Sequence, residues 1–229
     1  MIRYLHIPKT AGTAMKSSIR GMSEPPFTME AKHTVTLWNI KNPRVGFVLR
    51  DPIDRFCSAF WECYTKNIQN PPRPYEGYEK KIFAEIKTPD ELVTELQVNT
   101  NLLKYFNEVN RIPSDGGLFK TAGSYQYWIG KLQGYKNLEN RVAQVINTNS
   151  VTSALKNLYG IDITTDPKLA RTHERYGGNR SYYVSPENQK WFRETFRPID
   201  YELIEYIKTR DYYYEDNTDT SSERHSVNS

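Results

Sequence analysis

The chain has 229 residues with 38% hydrophobic side chains and a mean hydropathy of −0.73, enough for one well-filled domain and too little for two independent ones. A net charge of +4 and a pI near 8.8 suit an anionic ligand but fall short of the basic density of a nucleic-acid-binding surface. No run of 18 apolar residues and no basic-then-apolar leader occurs, so neither a membrane span nor a secretory signal is expected.

In chain order, Ile2 to Ile7 is an apolar run that predicts a buried strand. Pro8 stops it, Gly12 permits a tight turn, and Thr13 to Arg20 reads as a helix. A strand, a short loop and a helix aim unpaired backbone N–H groups and the positive end of a helix dipole at one point. Lys9 adds a full charge there, and Thr10 and Thr13 add hydroxyls. Such a loop suits a phosphate or phosphosulfate. It lacks the GxxxxGK[ST] pattern of a nucleoside triphosphatase loop, since Gly12 is its one glycine.

Val45 to Leu49 predicts a second buried strand, ending in Arg50-Asp51-Pro52-Ile53-Asp54-Arg55-Phe56-Cys57-Ser58. A helix is expected from about Pro52 to Thr65. Arg50 then sits at the carboxyl end of its strand, beside the first loop if the two strands are parallel neighbours. Ser58 lies eight positions on, about two helical turns. A guanidinium and a hydroxyl so placed can grip a second, separate phosphate. Asp51, Asp54 and Arg55 read as loop-fixing ion pairs and caps.

Together HIPKTAGTAM and VLRDPIDRFCSAF resemble the two cofactor motifs of sulfotransferases that use 3′-phosphoadenosine 5′-phosphosulfate (PAPS), most closely the carbohydrate sulfotransferase branch. The clear resemblance covers residues 2–65, with weaker echoes at Tyr125-Gln126 and from Thr172 to Ile207. It implies a P-loop-like α/β fold, a mostly parallel sheet flanked by helices in a single domain. It also implies transfer of a sulfuryl group from PAPS to a hydroxyl, with a glycan as the expected acceptor and no metal. By the same resemblance Lys9, Thr10, Ala11, Gly12 and Thr13 hold the phosphosulfate, and Arg50 and Ser58 hold the 3′-phosphate. Lys9 additionally stabilises charge on the departing phosphate oxygen. Some members place a catalytic His between the two motifs, which implies His33 as general base, and others a Glu, which makes Glu30 the alternative. The rival readings are a degenerate P-loop kinase and a non-catalytic nucleotide-binding protein.

Further along, Asn67 to Tyr78 is a Pro-rich connection that either covers an acceptor groove or simply crosses the surface. Thr88-Pro89-Asp90-Glu91 carries an N-cap, a first-turn proline and a capping-box acid. Asn110 to Gly117 reads as a turn, Val142 to Ile146 as a strand, and Val151 to Tyr159 as a helix stopped by Gly160. The loop Thr172 to Ser181, which begins with His173, loosely resembles the late loop that closes over the nucleotide in that family, which implies that Arg175 and Arg180 reach the 3′-phosphate or an acidic sugar, or else that it is a solvated loop. Ser185-Pro186-Glu187 opens a helix to Phe196, and another runs from Pro198 to about Lys208. The domain is expected to span residues 1–211. The tail, 212–229, has almost no aliphatic side chains and is expected to be disordered, its removal from residue 215 neutral. Cys57 and Cys63, six apart on one helix, point to different faces; with no disulfide and no leader, a soluble cytoplasmic chain is expected, bacterial or viral, or a catalytic domain trimmed from a longer protein.

Overall fold

The computed structural model describes residues 1–30, 32, 35–41, 44–68, 78–109, 123–130, 138–163 and 182–216. Five strands alternate with helices along the chain. They are Ile2–Leu5 (β1), Phe27–Met29 (β2), Val45–Leu49 (β3), Val142–Asn147 (β4) and Tyr213–Tyr214 (β5). All five pair in parallel, in the order β2-β1-β3-β4-β5, to form one sheet flanked by helices in a single domain. The described helices are Gly12–Ser18 (α1), Pro52–Ile68 (α2), Tyr78–Glu85 (α3), Pro89–Val98 (α4), Thr100–Val109 (α5), Gln126–Ile129 (α6), Val151–Tyr159 (α7), Pro186–Trp191 (α8) and Pro198–Lys208 (α9).

Both faces of the sheet are covered, as a parallel sheet requires. Leu5, Phe47, Leu49 and Val145 point to one face and meet Trp128 of α6 and Leu203 and Ile207 of α9. Tyr4, Val48 and Ile146 point to the other and meet Met15 of α1 and Ala154 and Leu155 of α7. This two-residue alternation is that of strands. It slips once, at an irregularity in register between Val45 and Gly46, so that Val142 and Val145 share a face. A third apolar cluster joins α2 to α3, α4, α5 and the turn Phe192–Phe196 that follows α8, through Phe56, Phe60, Phe83, Leu96, Phe106 and Phe192.

The local stops and starts follow backbone chemistry. Thr88 Oγ1 accepts the Glu91 N–H at 3.2 Å and opens α4, while the Glu91 carboxylate takes the Lys87 N–H at 2.7 Å rather than that of Thr88 itself. Gly160 ends α7 in the left-handed region, at φ 68°, where a Cβ is disfavoured. Its N–H reaches Lys156 O at 2.9 Å and the Ile161 N–H reaches Leu155 O at 3.0 Å. The helix expected to run to Phe196 does so in two parts, α8 and a π-helical turn, Phe192–Phe196. Cys57 and Cys63 are both free and buried, and burial pushes the Cys57 thiol up to about 12, which makes it inert at neutral pH. Among the described residues no helix is long and apolar enough to cross a membrane.

The boundary placed at Asp211 is corrected. Tyr213 and Tyr214 add a strand beside β4, one ring on each face of the sheet. The Val145 N–H bonds Tyr212 O at 2.7 Å, and Asn147 Nδ2 donates to Tyr213 Oη at 3.0 Å and to Glu215 Oε1 at 2.7 Å. Asn157 Nδ2 donates to Tyr214 Oη at 2.8 Å, and the Asp216 N–H to Ser150 Oγ at 2.9 Å. Composition suggested disorder because aliphatic side chains are scarce there, but tyrosine supplies both ring area and a polar tip. Residues 217–229 lie outside the described residues, as do Asn110–Gly117, Thr172–Ser181 and most of the Pro-rich connection.

Truncation after Asp211 is therefore expected to destabilise the domain relative to truncation after Asp216. Loss of these bonds corresponds to about 2–3 kcal/mol, or roughly 5–10 °C in Tm for a chain of this size. Paired thermal melts of the two truncations measure it, and equal Tm values would refute the structural role of β5.

Candidate functional site

The strand order puts the site where the chain connection changes direction. From β1 the chain passes to β2 on one side of it, then crosses to β3 on the other. At such a point the loops leaving the carboxyl ends of the two central strands diverge and leave a crevice between them. Here those strands are β1 and β3, paired with Leu5 opposite Phe47. The loops leaving them are residues 6–11 and 50–51, each leading into a helix, so the two motifs singled out in the sequence emerge side by side.

The first loop is built on strained backbone. Lys9 and Ala11 both occupy the left-handed region, at φ 65° and 59°, where L-residues are disfavoured by about 1–2 kcal/mol each. Backbone of this kind turns successive N–H groups toward one concavity, and Ala11 caps α1 without a side-chain hydrogen bond to its first turn. Gly12, expected as the turn residue, has another duty. It is the first residue of α1, and a Cβ there would stand 2.1 Å from His6 Cδ2. The glycine lets the His6 ring lie against the helix start. Thr10 is buried and its hydroxyl donates to Ile7 O at 2.9 Å, so what Thr10 can offer a ligand is its backbone N–H. Thr13 is exposed at the start of α1.

The second motif forms as expected. Asp51 Oδ1 accepts the Ile53 N–H at 2.9 Å and the Asp54 N–H at 3.3 Å, which caps α2, and Pro52 begins the helix. Arg50 is half-buried, with its guanidinium carbon 5.7 Å from the centre of the Tyr182 ring. Among the described residues it has no carboxylate partner. Ser58 is buried in α2, and Glu62, one turn further along the same face, holds Lys9: Glu62 Oε2 to Lys9 Nζ is 3.1 Å, with both side chains 19% exposed. Lys9 and the Ser58 helix are thus joined by an ion pair.

Arg55 departs from the sequence reading. It is buried, its guanidinium stacked 4.6 Å from the Tyr125 ring centre and 5.2 Å from that of Trp128. Its Nη1 lies 3.5 Å from Pro8 O, a long contact between the second motif and the first loop. Burial lowers its pKa, opposed by Tyr125 and Asp200. Arg197 is buried nearby and brought down to about 10 by the same loss of solvent. Asp200 is the carboxylate facing both; burial raises its pKa, while Arg197, the Ser124 hydroxyl, Arg55 and the Tyr125 N–H pull it back. Two buried guanidiniums thus face one buried carboxylate.

Of the two candidate bases, Glu30 follows β2 at the same end of the sheet, its N–H on Tyr4 O at 2.8 Å. His33 lies outside the described residues. Glu62, which the sequence offers as a further base to be tested, instead holds Lys9, and Tyr125 and Tyr182 stand at the site in segments with only weak family echoes. Helical spacing from Ser58 was the available signal for Glu62, whereas nothing local announces contacts made across 75 or more residues. Comparison of the chain with protein-family models, with curated proteins and with solved structures finds no match.

Two adjacent substitutions are expected to act in opposite directions. Ala11→Gly relieves left-handed strain and should raise stability by about 0.5–1 kcal/mol. Gly12→Ala must displace the His6 ring and should lower it by about 1–3 kcal/mol. Urea midpoints of the two variants check both signs; a neutral Gly12→Ala would refute the close approach of His6.

Proposed function

We propose that this chain is a PAPS-dependent sulfotransferase that moves a sulfuryl group to an acceptor hydroxyl, with a carbohydrate as the favoured acceptor class. The observation that carries the reading is the parallel pairing of β1 and β3. It brings together two segments from different strands, the Lys9 loop and the Arg50–Ser58 segment, each of which in this reading binds an anionic group. A ligand with two separate anionic groups suits that arrangement better than one with a single phosphate chain. The half-buried Arg50, without a carboxylate partner among the described residues, supports the same conclusion, because such a cation is stabilised by an external anion.

PAPS supplies an activated sulfate whose leaving group is an already acidic phosphate. In this reading the backbone N–H groups of Thr10, Ala11, Gly12 and Thr13 hold the phosphosulfate, and Arg50 and Ser58 hold the 3′-phosphate. Lys9, a mobile point charge, exchanges Glu62 for the ligand and neutralises charge on the bridging oxygen. Glu30 or His33 accepts the proton of the acceptor hydroxyl. Glu30 is the candidate with a described position, at the carboxyl end of β2 beside the first loop.

Calorimetry with 3′-phosphoadenosine 5′-phosphate (PAP) and 5′-AMP tests the cofactor. A charge-assisted contact of about 1.5–3 kcal/mol predicts a preference for PAP of roughly tenfold or more. Arg50→Ala should remove the preference and leave the Tm unchanged. Equal affinity for the two nucleotides in the unmodified chain would overturn the reading.

Transfer of labelled sulfate from PAPS across glycans, lipids, phenols and small alcohols tests the reaction. Lys9→Ala should lose both cofactor affinity and turnover, since Lys9 meets the ligand before and during transfer. Replacement of the base, by Glu30→Gln or His33→Ala, should spare PAP affinity and cost about 10²–10⁴-fold in rate. PAP binding with no transfer to any acceptor would favour a non-catalytic binding protein instead.

A further inference from the structure

The ladder between β3 and β4 ends at Leu49 opposite Asn147, and the Thr148 hydroxyl closes it by donating to Leu49 O at 2.7 Å. Arg50 is the next residue, beyond the sheet, yet both of its backbone groups are satisfied. One side chain does it: Tyr125 Oη accepts the Arg50 N–H at 3.0 Å and donates to Arg50 O at 2.8 Å. A phenol has one proton and free lone pairs, so this single hydroxyl replaces the missing neighbour strand for that one residue.

Tyr125 is itself held on three sides. It is fully buried, its ring packs against the Arg55 guanidinium, and its N–H donates to Asp200 Oδ1 at 2.9 Å. The same oxygen receives the Ser124 hydroxyl at 2.5 Å. A buried tyrosine needs some hydrogen-bond partner, and any carbonyl would meet that need. Gripping both backbone groups of the residue that carries the half-buried cation does more. The Arg50 side chain has one described contact, the Tyr182 ring, so its position depends on where its backbone is fixed.

We propose that Tyr125 is a positioning residue for the 3′-phosphate, clamping the Arg50 backbone so that the guanidinium is in place before the ligand arrives. The inference rests on the role given to Arg50 under the proposed function. Preorganisation of this kind removes an ordering cost from binding and acts on the contact it positions, not on the rest of the ligand.

Tyr125→Phe keeps the ring and its stack on Arg55 and deletes only the bridging hydroxyl. PAP affinity is expected to fall about three- to tenfold, with 5′-AMP affinity unchanged. Exchange of the Arg50 amide hydrogen should accelerate in the same variant. Ser124→Ala, a milder loosening of the Asp200 anchor, should shift the PAP-to-AMP ratio the same way by about two- to threefold. Equal losses for PAP and AMP, or an unchanged ratio in both variants, would reduce Tyr125 to a packing residue and overturn the proposal. Absence of a PAP preference in the unmodified chain would overturn the role of Arg50 and the proposal with it, a result visible before any variant is made.

Discussion

Hydrogen bonding between β1 and β3 is the constraint from which the site follows. Parallel pairing sends both strands toward the same edge, and the crossing of the chain from β2 on one side of β1 to β3 on the other lets the loops that leave the two strands diverge. Had the two strands been separated by another, Lys9 and Arg50 would serve unrelated surfaces. Because they are neighbours, a short loop of left-handed backbone and a helix capped by Asp51 face one volume. The chemistry of the loops matters only after that adjacency exists.

Behind the crevice the protein maintains an arrangement that is costly in isolation. Arg55, Arg197 and Asp200 are all buried, and desolvation disfavours the charge on each. The aromatic faces of Tyr125, Trp128 and Phe196 beside the two guanidiniums offset part of that cost, and the Asp200 carboxylate offsets more. Apolar residues would fill the same volume at less expense. They would not tie the last long helix, through Asp200 and Tyr125, to the backbone of Arg50.

The first loop shows a similar trade. Two non-glycine residues sit in left-handed backbone while the glycine beside them does not, an inversion of the usual distribution. The reason is contact rather than torsion: the His6 ring occupies the space where a side chain at position 12 would stand. Strain held at Lys9 and Ala11 is sustained by packing of the surrounding strand, helix and ring.

Much of the architecture was legible in the sequence because it depends on short-range chemistry. Apolar runs bounded by Pro8 and Arg50 marked the central strands, and Thr88, Ser185 and Gly160 marked helix ends, since caps and turns act within four residues of themselves. The loop around Lys9 and the Arg50–Ser58 segment were likewise visible as residue types at a spacing. What they could not carry was partnership. The burial of Arg55, the bond of Lys9 to Glu62, the grip of Tyr125 on Arg50 and the docking of Tyr213 and Tyr214 all join residues far apart in the chain. Such contacts form only once the sheet order has brought the segments together. Sequence alone thus determined the parts and their local geometry, and tertiary structure decided which charges face each other, because Coulomb and hydrogen-bond energies depend on distance in space and not along the chain.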